Sequence, residues 1–98
     1  MIGRQDFAFT VGYQGNTAIV DGKSRTRYGK LSIIELAEQG MFKPALCSAL
    51  YGSDADELNE VLALYNEIAL RKVSSVEELM KVYGVSKLPK EIDKVIQL

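Results

Sequence analysis

The sequence contains no histidine and only one cysteine, Cys47. Without an imidazole group, the usual general base of a nucleophilic enzyme is missing, although a lysine or carboxylate base stays open. One cysteine excludes an intrachain disulfide and a cluster of thiolate metal ligands. No apolar run approaches the length that crosses a membrane, and residues 1–5 lack the apolar region of a signal peptide. We therefore expect a reduced, cytoplasmic setting.

Other signatures of catalysis or of cofactor binding are weak. Residues 22–24 resemble the end of a phosphate-binding loop, but Thr17 occupies the position where that loop requires a glycine. Cys47 lies in an apolar segment, which favours a packed thiol over a nucleophile. One acidic cluster lacks a calcium loop and is typical of a helix start; it comprises Asp54, Asp56, Glu57 and Glu60. We predict no enzymatic activity, no cofactor and no metal site.

Length and composition predict a single domain over residues 1–98, with 47% apolar and 26% charged residues. Charge is distributed unevenly along the chain. Residues 1–30 carry five cations and two carboxylates, whereas residues 31–70 carry one cation and seven carboxylates. The basic end can attract the acidic middle of a second copy, or another anionic partner. A mixed, solvated surface is the alternative.

The first third of the chain has the pattern of β-strands. Apolar and polar residues alternate over residues 6–14, Gly15-Asn16 favours a tight turn, and residues 17–20 form a second strand. A turn at residues 21–22 then leads to a third alternating segment over residues 23–28. We expect a three-stranded antiparallel meander; the alternative is one long hairpin in which residues 21–22 form only a bulge.

The third predicted strand carries a basic face that we expect to point to water, since burying unpaired cations is costly. These cations, together with the lysine that follows the strand, are our candidates for contact with an anion or a nucleic acid: Lys23, Arg25, Arg27 and Lys30.

About five helices are expected after the strands, packed on one face of the sheet in an α+β domain. They cover residues 33–39, 44–51, 53–72 and 76–83, and a last segment that begins at Pro89 and carries Ile92, Val95 and Ile96. Ser32 and Glu35 predict a capping box for the first of them, and Ser74 with Glu77 and Ser75 with Glu78 predict overlapping caps for the helix over residues 76–83. Gly40 and Gly84 predict left-handed helix ends.

Residues 53–72 give the longest amphipathic pattern. Asp54 and Glu57 indicate a capping box at its start, and Ser53 offers a second cap. Apolar residues recur at helical spacing and form one stripe: Leu58, Val61, Leu62, Tyr65, Ile68 and Ala69. We expect this helix to be the centre of the domain, so that Leu62→Asp should unfold the protein.

Residues 76–86 resemble the first helix and glycine turn of a helix-turn-helix motif. The resemblance ends there, because Pro89 interrupts the second helix and polar residues replace its inward positions. Three lysines of this region are placed to touch phosphates: Lys87, Lys90 and Lys94. A plain helical corner is the favoured interpretation over a DNA reader.

From these features we predict a small, non-enzymatic protein-interaction or regulatory domain that self-associates, most simply as a homodimer. The alternative is a nucleic-acid-binding protein that uses residues 23–30 and the helix-turn-helix-like segment. The pattern indicates no small-molecule substrate and no membrane partner.

Overall fold

The computed structural model describes residues 2–69 and 72–98 of the chain. These residues form a mixed α+β structure, which confirms the predicted class. In chain order, the elements are α1 (Arg4–Ala8), β1 (Thr10–Gln14), β2 (Thr17–Val20), α2 (Gly22–Tyr28), α3 (Ile33–Glu38), α4 (Phe42–Gly52), α5 (Ala55–Ile68), α6 (Val76–Tyr83) and β3 (Lys94–Gln97).

The sheet has the order β1-β2-β3 and is mixed. β1 and β2 form the predicted antiparallel hairpin, and Gly15 makes its turn with a φ of 61°. β3 pairs in parallel with the other side of β2, so that Ala18 lies opposite Val95 and Ile19 opposite Ile96. The Asn16 side chain fixes the start of β3, because its Nδ2 donates to Asp93 Oδ1 over 2.9 Å.

The predicted third strand is wrong, in both the meander and the long-hairpin form, because residues 23–28 belong to helix α2. The local reason is a cap. Asp21 Oδ1 accepts a hydrogen bond from the Ser24 backbone N–H (3.2 Å), and Asp21 Oδ2 accepts one from the Ser24 hydroxyl (2.9 Å). The bond from the Ser24 N–H satisfies a backbone donor that has no partner within the helix. A segment of only six residues with an alternating pattern is compatible with a strand and with a helix.

The predicted helix beginning at Pro89 is also wrong, since it is replaced by β3. Val95 and Ile96 are β-branched and suit a strand, and β2 supplies the pairing partner that a strand requires. Ile92, just before the strand, is buried in the core.

Helix α1 replaces the first half of the strand expected over residues 6–14. The Asp6 carboxylate accepts a hydrogen bond from the Gly3 N–H over 3.1 Å and so caps the first turn. Phe7, Ala8 and Phe9 are all buried, which a strand with one solvent face does not allow.

Helices α3 and α4 confirm their predictions within one to two residues at each end. The capping box of α3 is formed: Ser32 Oγ accepts from the Glu35 N–H, and Glu35 Oε1 accepts from the Ser32 N–H, each over 3.1 Å. Gly40 has the left-handed φ of 79°. Residues 45–50 of α4 are all buried, and α4 packs against α1, α3 and α5. Helix α4 is therefore the centre of the core.

Helix α5 confirms the predicted amphipathic helix, but it is shorter and less central than expected. Asp54 caps it by accepting from the Asp56 and Glu57 N–H groups. Ser53 instead closes α4 in the left-handed conformation. The helix was predicted to continue to residue 72, but the backbone is already extended at Ala69. Residues 70–71 of the predicted helix lie outside the described residues. Only Val61 and Tyr65 of α5 are buried.

Helix α6 confirms its predicted bounds and both of its end signals. Ser75 Oγ accepts from the Glu78 N–H over 3.1 Å, and Gly84 ends the helix with a φ of 64°. Edge-to-face rings join three helices: Tyr65 on α5 lies 5.2 Å from Phe42 on α4 and 6.1 Å from Tyr83 on α6, between ring centroids.

Candidate interaction surfaces

The four predicted basic contact residues lie on and just after helix α2, and the helix separates them. Lys23 and Arg27 are both exposed and stand four positions apart, so they share one helical face. The Arg27 guanidinium lies 5.2 Å from the ring centroid of Tyr28. Lys30 is exposed in the turn after the helix. The continuous basic face expected of a strand is therefore absent.

Arg25 is directed away from these residues. Its Nε lies 2.8 Å from Asp6 Oδ1, and the two side chains are 31% and 14% exposed. The contact is an ion pair without hydrogen-bond geometry at Nε. Because Asp6 also accepts the Gly3 N–H hydrogen bond at the start of α1, this pair joins α1 to α2.

A shallow groove of about 500 Å³ runs beside the exposed face of α2. One wall is formed by Lys23, Thr26 and Arg27, and the other by Gln97 and Leu98 at the end of β3. The floor is narrow at Gly22, where an added Cβ would lie 2.7 Å from the Leu98 carbonyl oxygen. The glycine thus permits the close approach of α2 to β3. We call this feature the α2–β3 groove.

The opposite edge of the sheet is strand β1, which has no strand partner on its outer side among the residues that the structure describes. Its five residues, 10–14, contain no charged side chain. Val11 is 60% and Tyr13 42% exposed. A bulge between Thr10 and Gly12 leaves Val11 outside the regular pairing with β2. We call this feature the β1 edge.

A cleft of about 180 Å³ adjoins the β1 edge, between β1, residues 84–86 and helix α4. Cys47 lies in it and is only 5% exposed. Burial raises the pKa of the Cys47 thiol to about 11, although Lys43 acts in the opposite direction. Burial, and secondarily Cys47, also raises the pKa of Tyr13. The Cys47 thiol and the Tyr13 hydroxyl are therefore neutral at pH 7, while the cleft is also lined by the cation of Lys43. A neutral thiol is a poor nucleophile.

The helix-turn-helix-like segment keeps its first helix and turn but has no second helix. After Gly84 the chain runs without regular structure to β3, which contains Lys94. Lys87 and Lys90 are exposed on this irregular segment. They are therefore not presented by a recognition helix.

Among the acidic residues at the start of α5, Asp54 caps the helix by accepting hydrogen bonds from backbone N–H groups of its first turn. Within residues 2–69 and 72–98, no group of three or more histidine, cysteine or acidic side chains is arranged to hold a metal ion. No helix in these ranges is both long and apolar enough to cross a membrane.

No family model, curated protein or solved structure matches this chain. The geometry of its surfaces is therefore the basis for any functional conclusion.

Sequence reasoning missed the β1 edge and the α2–β3 groove. A signal for the first was present, since residues 10–14 are uncharged in a chain that is 26% charged. The second had no sequence signal, because Lys23 and Leu98 are 75 positions apart and meet only when β3 pairs with β2.

Proposed function

We propose that this protein is a non-enzymatic protein-interaction domain of the cytoplasm that self-associates as a homodimer through the β1 edge. The observation that carries the proposal is an unpaired, uncharged edge strand with two exposed apolar side chains, Val11 and Tyr13. Natural edge strands that stay unpaired are commonly protected by charge, by proline or by a bulge, and β1 has only a bulge, at Val11. Residues 10–14 contain neither a charge nor a proline.

A twofold axis beside β1 would place this strand antiparallel to the same strand of a second copy, giving one sheet of six strands. Such a contact brings identical residues together, and because β1 is uncharged, its own residues introduce no like-charge pairs. The bulge leaves Val11 without a partner on β2, so the uninterrupted pairing of β1 covers Gly12–Gln14. The neighbouring cleft offers a site for an apolar side chain of the second copy.

The opposite edge of the sheet is less suited to an isologous contact. β3 carries Lys94, which is exposed, and the neighbouring face of α2 carries Lys23 and Arg27. A twofold contact there would bring cations together, which destabilises an interface. One cation, Lys43, lines the cleft beside β1, whereas three cations lie at or beside the β3 edge, so β1 is the better suited edge for self-association. The single buried thiol of Cys47 suits a reducing compartment.

The test is light scattering during gel filtration over a dilution series. We expect the wild-type chain to be a dimer and Val11→Lys, which places two new cations at the interface, to be a monomer. The matched control is Ile68→Lys at the end of α5, where the isoleucine is 51% exposed and lies outside the cleft beside β1. A wild-type chain that is monomeric at every concentration refutes self-association, and dissociation by both variants refutes the assignment to β1.

Nucleic-acid binding is the second candidate function. It is supported by Lys23 and Arg27 on one helical face and by the contact of Arg27 with Tyr28. An oligonucleotide pool should then bind at low salt, lose affinity steeply as salt rises, and fail to bind Lys23→Glu/Arg27→Glu. Arg25 is left out of this variant, because reversing its charge would break the ion pair with Asp6.

A further inference from the structure

We infer that the α2–β3 groove binds an extended, acidic polypeptide segment of a partner protein. This site lies at the edge of the sheet opposite β1, so the inference is independent of the proposed self-association. It rests on the charge of one wall, the strand edge at the other wall, and the spacing of the cations.

The first argument is charge complementarity. Lys23 and Arg27 form the α2 wall, both are exposed, and no described acidic residue lines the groove. Arg25 of the same helix points away toward Asp6. Asp21, which attracts Lys23 electrostatically, caps the helix and is not among the described residues that line the groove. The groove is therefore a locally basic surface on a chain of net charge −1, and it attracts carboxylates.

The second argument is the exposed edge of the sheet. β3 pairs with β2 on one side and has no strand partner on the other within the described part of the chain. Peptides bind such edges in extended form, with main-chain hydrogen bonds along the strand and alternate side chains facing each way. Leu98, which is 76% exposed, gives the β3 wall an apolar surface for the side chains that do not face α2.

The third argument is spacing. Residues four apart on a helix are separated by about 6 Å along the axis. Alternate residues of an extended strand are separated by about 6.7 Å. An extended segment that runs along α2 would therefore place carboxylates at positions i and i+2 opposite Lys23 and Arg27. The expected ligand alternates acidic residues with β-branched residues.

A single-stranded nucleic acid is the competing ligand, and the groove suits it less well. Bases of single strands bind by stacking on aromatic rings. The described residues that line the groove include no aromatic side chain. The Tyr28 ring, which Arg27 contacts, packs partly against the core.

The test uses the whole chain and fluorescence anisotropy with three labelled peptides and one labelled oligonucleotide. The first peptide alternates glutamate with threonine over seven residues, the second replaces glutamate by glutamine, and the third is the first with alternate amides N-methylated. The oligonucleotide is a thymidine single strand. We expect the glutamate peptide to bind, and both altered peptides to bind at least tenfold more weakly.

Lys23→Glu/Arg27→Glu should weaken binding of the glutamate peptide at least tenfold. Both side chains are exposed, so circular dichroism should show an unchanged fold; Lys23→Gln alone, expected to weaken binding about threefold, serves if the double variant unfolds. The matched control is Lys81→Glu, an exposed lysine on α6, and it should bind like the wild type.

Several results would overturn the inference. They are no binding of the glutamate peptide at low salt, equal binding of the glutamine peptide or the N-methylated peptide, equal loss in the Lys81→Glu control, or binding of the oligonucleotide without binding of the peptide. If the chain proves monomeric, the titration is still valid. The monomeric variant Val11→Lys keeps the groove and should bind the peptide like the wild type.

Discussion

Two leucines on neighbouring helices test whether α4 or α5 is the centre of the core. Leu46 on α4 is fully buried, at 0% exposure. Leu62 on α5 packs against the core but is only partly buried. The substitutions Leu46→Ala and Leu62→Ala remove the same atoms from a helix interior, so helix propensity changes equally and burial accounts for the difference.

Leu46→Ala removes fully buried methyl groups and leaves a cavity, because the helices around α4 cannot close it completely. The expected cost is about 3 kcal/mol, from the usual range of large-to-small changes in cores. A domain of this size has a free energy of unfolding of roughly 5–15 kcal/mol. The melting temperature should fall by about 12–24 °C, since each kcal/mol corresponds to about 4–8 °C.

Leu62→Ala should cost about 1 kcal/mol, because part of the leucine side chain already contacts water. The melting temperature should then fall by about 4–8 °C. Leu62→Asp, expected from sequence to unfold the protein, should instead weaken a fold that persists, because the carboxylate can turn toward solvent.

The assay is urea unfolding followed by circular dichroism at the helical band, with thermal melting as a second measure. The slope of the free energy of unfolding against urea concentration should be the same in all variants, provided that unfolding exposes the same surface area in each. A loss in Leu62→Ala equal to or greater than that in Leu46→Ala would refute the assignment of the centre to α4.

Three further predictions concern a backbone conformation, a cap and a thiol. Gly84→Ala should lower the free energy of unfolding by about 1 kcal/mol, because the φ of 64° is strained for a residue with a Cβ. Gly12→Ala, at an equally open site without a positive φ, should be nearly neutral in urea unfolding. Equal losses in the two variants would contradict the strain argument. Hydrogen bonds from the Ser24 N–H and hydroxyl lower the pKa of Asp21 below 3.8, so this cap stabilises the fold above that pH and is lost as the pH falls through the lowered pKa. The difference in the free energy of unfolding between the wild type and Asp21→Ala, measured by urea titration, should therefore shrink in acid. A difference that does not change with pH would contradict the role of this cap. The pKa of buried Cys47 is raised to about 11, so a disulfide reagent near pH 8 should label this thiol far more slowly in the folded protein than in urea. Similar labelling rates in the folded and the urea-unfolded protein would show that the thiol is accessible.

Local patterns in the sequence predicted most of the helices correctly. The capping box of Ser32 and Glu35, the cap at Ser75 and the glycine end at Gly84 all lie where the spacing placed them. These signals act between residues three or four positions apart, so they do not depend on the rest of the chain. The cap of Asp21 on Ser24 is of the same kind, and it would have indicated α2.

The sheet and the surfaces depended on contacts that are distant in sequence. Val95 and Ile96 become a strand because Ala18 and Ile19 pair with them across the fold, and an isolated apolar segment does not specify that partner. The same pairing brings Leu98 beside Lys23 and creates the α2–β3 groove. The sequence by itself determined the α+β class, the hairpin turn and the helices with local caps. Only the tertiary structure decided the third strand, the central role of α4 and which cations stay exposed, because strand pairing and burial are set by the whole chain.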